Sequence, residues 1–359
     1  MRILAAAGGT AGHVNPMLAA AAELISRGHE VTCLGTKSGL EAELVPAAGH
    51  ELLFVDKVPV PRRPSIDLLR LPVRLRRAVA QAGEAIDSAR ADVVLGFGGY
   101  VSAPAYLAAR RRGVPIVVQE QNARPGLANR LGARFAAGVS LTFPGTKLST
   151  PGVTRLTGLP LRPAIAELAG ADDRAERRAR AAERFGLDPD LPTVLITGGS
   201  SGARHLNQVI SRAAATLTER GQVLHLTGKG KTADIDPAAP GERYRVLEYL
   251  REMEEAYAVA DLVVSRSGAG MVAELAALTI PAVVVPLPIG NGEQELNARP
   301  YIDSGGFLLI RDAELDEAAV ATRIAPLLEG EELARRSALL AAAGVGDGAA
   351  ALADLIEEM

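Results

Sequence analysis

The sequence predicts an α/β protein of two Rossmann-like domains, each a doubly wound parallel sheet, facing a central cleft. Three observations predict it. Short apolar strands alternate with helix-period stretches along the chain. A strand running into a glycine turn and then a helix occurs twice. The first copy is Arg2-Ile3-Leu4-Ala5-Ala6-Ala7 before Gly8-Gly9-Thr10-Ala11-Gly12-His13. The second is Thr193-Val194-Leu195-Ile196-Thr197 before Gly198-Gly199-Ser200-Ser201-Gly202. Finally, 359 residues exceed one ordinary core and suit two.

The elements follow in order. Apolar, β-branched runs at 31–34, 52–55, 93–95, 116–118, 194–197, 223–226, 262–264 and 282–285 read as strands. Helix-period stretches lie between many of them, at 17–27, 104–112, 207–220 and 271–278. Gly158-Leu159-Pro160-Leu161-Arg162-Pro163 reads as a stiff connector. It separates an N-terminal domain, 1–160, from a C-terminal domain, 161–335. Residues 172–185, dense in Arg, Glu and Ala, read as an exposed helix. The Ala-rich end reads as terminal helices, and 336–359 is expected to pack back on the N-terminal domain.

Composition narrows the class. With 48% hydrophobic and 23% charged residues the chain is an ordinary folded protein. A net charge of −3 and the absence of Trp argue against a nucleic-acid partner. Cys33 is the single cysteine, so no intramolecular disulfide forms; it reads as a buried filler at a strand end. The apolar run after Arg2 breaks at Gly8-Gly9, too early for a signal peptide. No stretch reaches the ~18 apolar residues of a membrane span. A cytoplasmic protein with at most peripheral membrane contact is expected.

Glycine turns at strand ends let a backbone approach a ligand, and the following helix aims N–H groups at it, which suits phosphate. Tight turns want glycine for their own sake, so either loop alone is weak. A third, Gly96-Phe97-Gly98-Gly99-Tyr100-Val101-Ser102, strengthens the case. A dinucleotide site needs an acid at the end of the second strand, where Cys33-Leu34-Gly35-Thr36 has none. Lys229-Gly230-Lys231-Thr232 is not a P-loop, because His225 stands where the motif needs its first glycine.

The richest stretch is Asp261-Leu262-Val263-Val264-Ser265-Arg266-Ser267-Gly268-Ala269-Gly270-Met271-Val272-Ala273-Glu274. A strand delivers Arg266, small residues turn, and a helix opens that can hold a diphosphate. Glu274 can accept two hydrogen bonds from a ribose diol; alternatively it partners the helix dipole. Arg266 can neutralise a diphosphate or sit in a structural ion pair. Beyond the next strand, Gln294 can reach sugar hydroxyls, with Glu293 beside it.

These motifs together resemble the MurG family, the GT-B glycosyltransferases of peptidoglycan synthesis. The resemblance runs essentially end to end. It rests on Gly12-His13, Gly98-Gly99-Tyr100-Val101-Ser102, Glu120-Gln121-Asn122 and Gly198-Gly199-Ser200-Ser201-Gly202-Ala203. It rests also on Arg266-Ser267-Gly268-Ala269 with Glu274, and on Gly292-Glu293-Gln294 with Asn297-Ala298. It implies inverting transfer of N-acetylglucosamine from UDP-GlcNAc to the muramic acid C4 hydroxyl of lipid I, giving lipid II and UDP. It also implies work in cell-wall growth, cell shape and division, alongside other cell-wall synthesis proteins. By this resemblance Ser200 and Arg162 lie near uridine and diphosphate, and Leu250 lies against uracil. Ala269, Gly270, Met271, Val272, Ala273 and Glu274 hold diphosphate, sugar and ribose, and Gln294 the sugar hydroxyls. Thr10, Ala11, Gly12 and Asn122 complete the sugar side. Two departures stand out. Ala11 replaces a usual glycine, which costs about 1 kcal/mol only if its φ is positive. Gln119 replaces a usual histidine, so no acid–base role carries over to it.

Inverting transfer needs a base, and His13 is the first candidate, since an imidazole works near neutrality; the alternative is a loop-ordering histidine. Glu120 is the second candidate, or else a hydrogen-bonded loop carboxylate. Gly8, Gly9, Gly98, Gly99 and Tyr100 are expected at the acceptor diphosphate. The acceptor is lipid-anchored, which places the protein on the cytoplasmic face of the membrane, peripherally. Lys57, Arg62, Arg63, Arg70, Arg74, Arg76 and Arg77, with Leu68, Leu69, Leu71, Val73 and Leu75 interleaved, make a segment fit for an anionic surface. The alternative is a helix packed on its own sheet. No cofactor is required: the Asp188/Asp190 and Asp234/Asp236 pairs have metal-type spacing but sit in proline-containing connections. Competing functions are a related GT-B transferase with another lipid or natural-product acceptor, a UDP-sugar epimerase of similar architecture, and a non-catalytic nucleotide-sugar-binding scaffold.

Overall fold

A computed structural model of the chain describes all residues except 59–65, 200–202, 240, 290–291 and 345, with side chains of 66–70 also outside the description. The chain forms two compact units, Met1–Pro163 with Asp347–Met359, and Ala164–Gly346.

In the first unit the strands are β1 (Arg2–Ala6), β2 (Glu30–Gly35), β3 (Leu52–Phe54), β4 (Val93–Gly96), β5 (Ile116–Glu120), β6 (Gly138–Leu141) and β7 (Val153–Leu156). They pair in parallel in the order β3-β2-β1-β4-β5-β6-β7. The order reverses between β1 and β4, the switch point where such sheets bind ligands. The central strands are buried on both faces, which is why they read as unbroken apolar runs. Ile3, Ala5, Val93, Leu95 and Val117 face the helix Ala11–Ser26 through Val14, Met17 and Leu24. Leu4, Ala6, Val94 and Val118 face the helices Ile66–Ser88 and Gly99–Arg112 through Ala78, Val79, Val101 and Tyr106. Cys33 lies in the first layer, its thiol pushed up to about 12 by burial.

The terminal segment differs from expectation. The helix Gly330–Ala343 packs within the second unit, so 336 is not where the chain returns. Only Asp347–Met359 joins the first unit, where Leu352, Leu355 and Ile356 of the helix Ala349–Glu357 complete its core. Asp347 Oδ1 accepts from Leu161 N (2.9 Å) and Ala349 N (3.0 Å), tying the return to the connector. Arg27 bonds Asp354 (2.6 Å) and Glu357 (3.1 Å) from the side.

The second unit repeats the design with β8 (Thr193–Thr197), β9 (Gln222–Leu226), β10 (Tyr244–Leu247), β11 (Leu262–Ser265), β12 (Ala282–Val284) and β13 (Phe307–Leu309). Their parallel order is β10-β9-β8-β11-β12-β13, reversing between β8 and β11. Among the described residues no helix is long and apolar enough to cross a membrane.

Candidate active site

The first unit gathers its polar residues at the ends of β1, β4 and β5. The Gly8–Gly9 and Gly98–Gly99 turns pack backbone on backbone. A Cβ on Gly99 would lie 2.2 Å from the Gly8 carbonyl oxygen, and φ is +78° at Gly99 and +99° at Gly9. Only glycine fits there. Two N–H groups of these turns, those of Gly9 and Gly98, are spent inside the fold and are not open to the expected acceptor diphosphate. Gly9 N donates to Glu41 Oε2 (3.2 Å), and Gly98 N to Ser102 Oγ (2.8 Å). Gly8 and Gly99 serve the packing itself. Tyr100 is partly exposed, with Lys57 Nζ 5.0 Å from its ring centre.

His13 stands in the opening turn of the helix Ala11–Ser26, because the glycine turn ends there and Thr10 starts the helix. Its Nδ1 lies 3.0 Å from Thr10 Oγ1. Its ring edge faces Gly98: a Cβ there would come within 3.3 Å of Cδ2 and 3.4 Å of Nε2, and within 3.4 Å of Asn129 Nδ2. Burial holds the imidazole below its ordinary value, while the charge of Glu41 pulls the other way. Ala11 and Gly12 lie in the same turn. Among described non-glycine residues only Arg90 and Thr279 have positive φ, so Ala11 carries no strain.

Glu120 ends β5 and is 1% exposed. Its Oε1 accepts from Asn122 N (2.9 Å), and its Oε2 from Gly126 N (2.9 Å) and Asn129 Nδ2 (3.0 Å). Burial raises its carboxyl above the usual range, with these donors opposing. A carboxylate so enclosed organises the loop 121–126, and of its two readings the loop carboxylate is the one the geometry displays. Asn129 is itself held: Tyr106 Oη donates to its Oδ1 (2.9 Å), and its Nδ2 also reaches the Gln119 carbonyl (3.0 Å). The fully buried Gln119 donates to Thr142 Oγ1 (2.9 Å) and accepts from Gln121 Nε2 (2.7 Å). It is an amide wedge between strands.

In the second unit β8 runs into Gly198 and Gly199, while Ser200 lies outside the described residues. The helix Ala269–Ala277 opens after β11, and a Cβ at Gly268 or Gly270 would meet open space. Ala269, Gly270 and Met271 form its first turn; Val272 and Ala273 face the core. Ser265 and Ser267 are buried with hydroxyls lacking a partner among the described residues. Tyr257 Oη donates to Glu274 Oε2 (2.8 Å) and lies 3.2 Å from Met271 Sδ, which fixes the carboxylate beside the helix start. Gln294 Oε1 accepts from Leu287 N (2.9 Å), pinning the loop after β12. Leu250 follows β10 in the loop before the helix Met253–Val259, and Arg162 sits among the last residues of the first unit.

Of the two readings of Arg266, the structure displays the ion pair. Its Nη1 lies 2.6 Å from Asp312 Oδ1 and donates to the carbonyls of Val285 (3.1 Å) and Pro286 (3.2 Å). Its side chain is 12% exposed, and these bonds tie the end of β12 to Asp312. On the exposed segment, Leu71 and Leu75 of the helix Ile66–Ser88 pack on the unit's own core, while Val73 is 73% exposed. Arg77 is exposed and pairs with Asp56 (3.0 Å); Arg74 belongs to the same helix. Arg62 and Arg63, and the side chains of Leu68, Leu69 and Arg70, lie outside the described residues. Among the described residues no cluster could hold a metal.

Sequence reasoning missed Glu41, Asn129, Tyr257 and Asp312. Glu41 had a legible signal: it follows a fourth glycine-containing strand end, Gly35-Thr36 to Gly39-Leu40. The others act across the fold and carry no local pattern.

Residues 3–141 match the glycosyltransferase family 28 N-terminal domain, and residues 193–352 its C-terminal domain. The UDP-N-acetylglucosamine--N-acetylmuramyl-(pentapeptide) pyrophosphoryl-undecaprenol N-acetylglucosamine transferase of Nocardioides sp. is 52% identical over 365 residues, covering 100% of this chain and 98% of its own. The Frankia casuarinae enzyme of that name is 52% identical, covering 99% and 95%. Among solved structures, Acinetobacter baumannii MurG is similar with a TM-score of 0.79 at 28% identity, covering 99% of each chain. The chain is a glycosyltransferase of two Rossmann-like domains and belongs to glycosyltransferase family 28, within it to the MurG family.

Proposed function

We infer that the chain transfers N-acetylglucosamine from UDP-GlcNAc to the muramyl C4 hydroxyl of lipid I, forming lipid II and UDP. The observation that carries the chemistry is the convergence of His13, Thr10, Gly98 and Asn129 at the switch point of the first unit. A half-buried imidazole, neutral at working pH and oriented through Nδ1 by Thr10, is free to accept a proton at Nε2. As the C4 oxygen bonds the anomeric carbon, that carbon's bond to the β-phosphate oxygen breaks with inversion, and the hydroxyl proton passes to His13. Glu120 acts through Asn129 and the loop 121–126, as a positioning group.

The donor belongs to the second unit. The helix Ala269–Ala277 offers its positive end to the diphosphate, where open space at Gly268 and Gly270 leaves room for it. Glu274 takes the ribose diol, Gln294 the sugar hydroxyls, Leu250 the uracil, and Ser200 and Arg162 the nucleotide. The leaving charge is met by the helix dipole, and no cofactor enters. The acceptor diphosphate is left to the helix N-terminus at Gly99 and to Tyr100, since Gly9 and Gly98 N–H are occupied. The protein works peripherally on the membrane's cytoplasmic face, through the helix Ile66–Ser88 with Leu69, Arg70, Val73, Arg74 and Arg77.

Turnover of UDP-GlcNAc with lipid I, read as lipid II, tests this function. A soluble acceptor used as well as lipid I would favour the related natural-product transferases instead. No turnover with intact UDP-GlcNAc binding would favour the scaffold.

A further inference from the structure

We propose that Glu41 is a positioning residue of the transfer reaction: it locks the Gly8–Gly9 turn to the end of β2 and so sets the Thr10–His13 pair. It rests on His13 being the base. Glu41 is fully buried, at the start of the helix Glu41–Ala47. Its two oxygens divide between two loops. Oε2 accepts from Gly9 N (3.2 Å), while Oε1 accepts from Thr36 N (2.9 Å) and Thr36 Oγ1 (2.7 Å). The backbone is cut away to admit it. A Cβ on Gly39 would lie 2.2 Å from either oxygen, on Gly35 2.5 Å from Cγ, and on Gly8 3.1 Å from Oε1.

A charged carboxylate is costly to bury and is kept charged only by donors of this kind. Burial works to raise its carboxyl value, yet the Thr36 and Gly9 donors hold it below the usual range. A neutral amide has one acceptor oxygen and cannot serve both loops. The fixed negative charge also reaches His13 and opposes the effect of burial there. Among the described residues, Glu120, across Asn129, and Tyr100, with Lys57 over its ring, also face this end of the helix Ala11–Ser26. Glu23, Arg27, Asp354 and Glu357 pair at the far end.

The experiment is steady-state kinetics over pH with UDP-GlcNAc and lipid I. It compares wild type, Glu41→Gln, Glu41→Asp, His13→Ala and the Glu41→Gln/His13→Ala double variant, each checked for folding by circular dichroism. Glu41→Gln is expected to lower kcat by ~10–10² through misplacement of the base, with the KM for UDP-GlcNAc unchanged. Its acid limb moves to lower pH, because the protonated imidazole loses its counter-charge. Glu41→Asp keeps the charge but is a methylene short, so kcat falls and the limb stays. In the His13→Ala background Glu41→Gln costs nothing further. A slow His13→Ala beside a Glu41→Gln of wild-type kcat and limb overturns the proposal and spares the base. Additive losses in the double variant overturn it also. A His13→Ala variant of wild-type kcat removes the base and the proposal with it. Should Glu41→Gln fail to fold, Glu41→Asp at wild-type kcat is the overturning result.

Discussion

His13 and Glu120 show how far a residue's letter goes. Both were legible as acid–base candidates, His13 because it closes a glycine turn at a strand's C-terminal end and Glu120 as the second choice. Their division of labour was not, because it depends on partners distant in sequence. Glu120 is enclosed by Asn122, Gly126 and Asn129, while His13 keeps its Nε2 edge toward the Gly98 turn. Arg266 likewise could not be assigned from its own stretch, because Asp312 lies forty-six positions on and meets it only in the fold. Burial lowers the His13 value, and a base works only when neutral, so activity persists to lower pH than an exposed histidine would allow. The acid limb of kcat/KM is therefore expected below about pH 6.5, and His13→Ala lowers kcat by ~10²–10⁴. A limb at or above the ordinary histidine value, or a His13→Ala variant impaired only in acceptor binding, contradicts the role.

At the scale of elements, most central strands were read, and of the edge strands only β3. β1, β4, β5, β8 and β11 are covered on both faces, so their apolar runs are continuous. β7 reads Val-Thr-Arg-Leu and β10 reads Tyr-Arg-Val-Leu, each at a sheet edge with a charged residue, and neither gives such a run. β6, Gly-Val-Ser-Leu, is buried but too polar to announce itself. Helices begin earlier than their apolar period, because a glycine turn leads straight into the first turn, as at Ala11 and Gly99. One helix end is imperfect. After Ala269–Ala277, Ile280 N bonds the Leu275 carbonyl (3.0 Å) and Thr279 takes the left-handed position at φ +56°. Glycine is the usual residue there, and a β-branched one is strained. Thr279→Gly is expected to stabilise the second unit by about 1 kcal/mol, seen as a higher midpoint in urea. An unchanged or lower midpoint refutes the strain.

The whole molecule is one plan used twice for different tasks. Each unit places its switch point between its first and fourth strands, and each puts a glycine turn on the first. Only the first turn ends in a histidine, and a buried carboxylate, Glu41, braces that turn. The second unit instead opens the helix Ala269–Ala277, which carries Glu274, at the place we propose for the nucleotide sugar. The long basic helix was legible as a surface segment. That Leu71 and Leu75 would face inward was not, since leucines at that spacing suit a lipid surface and a sheet equally. With those two used inside, charge carries more of the membrane attraction. Exchanging Arg70, Arg74 and Arg77 for Glu is expected to abolish sedimentation with anionic vesicles at moderate salt; unchanged sedimentation contradicts this surface.

The central claim is transfer of a sugar to a lipid-linked one, and product stoichiometry tests it most directly. With UDP-GlcNAc and lipid I in a membrane-mimetic, UDP and lipid II are expected to appear together, one for one, with UDP release ceasing when lipid I is omitted. UDP release without lipid II, or release indifferent to lipid I, contradicts it.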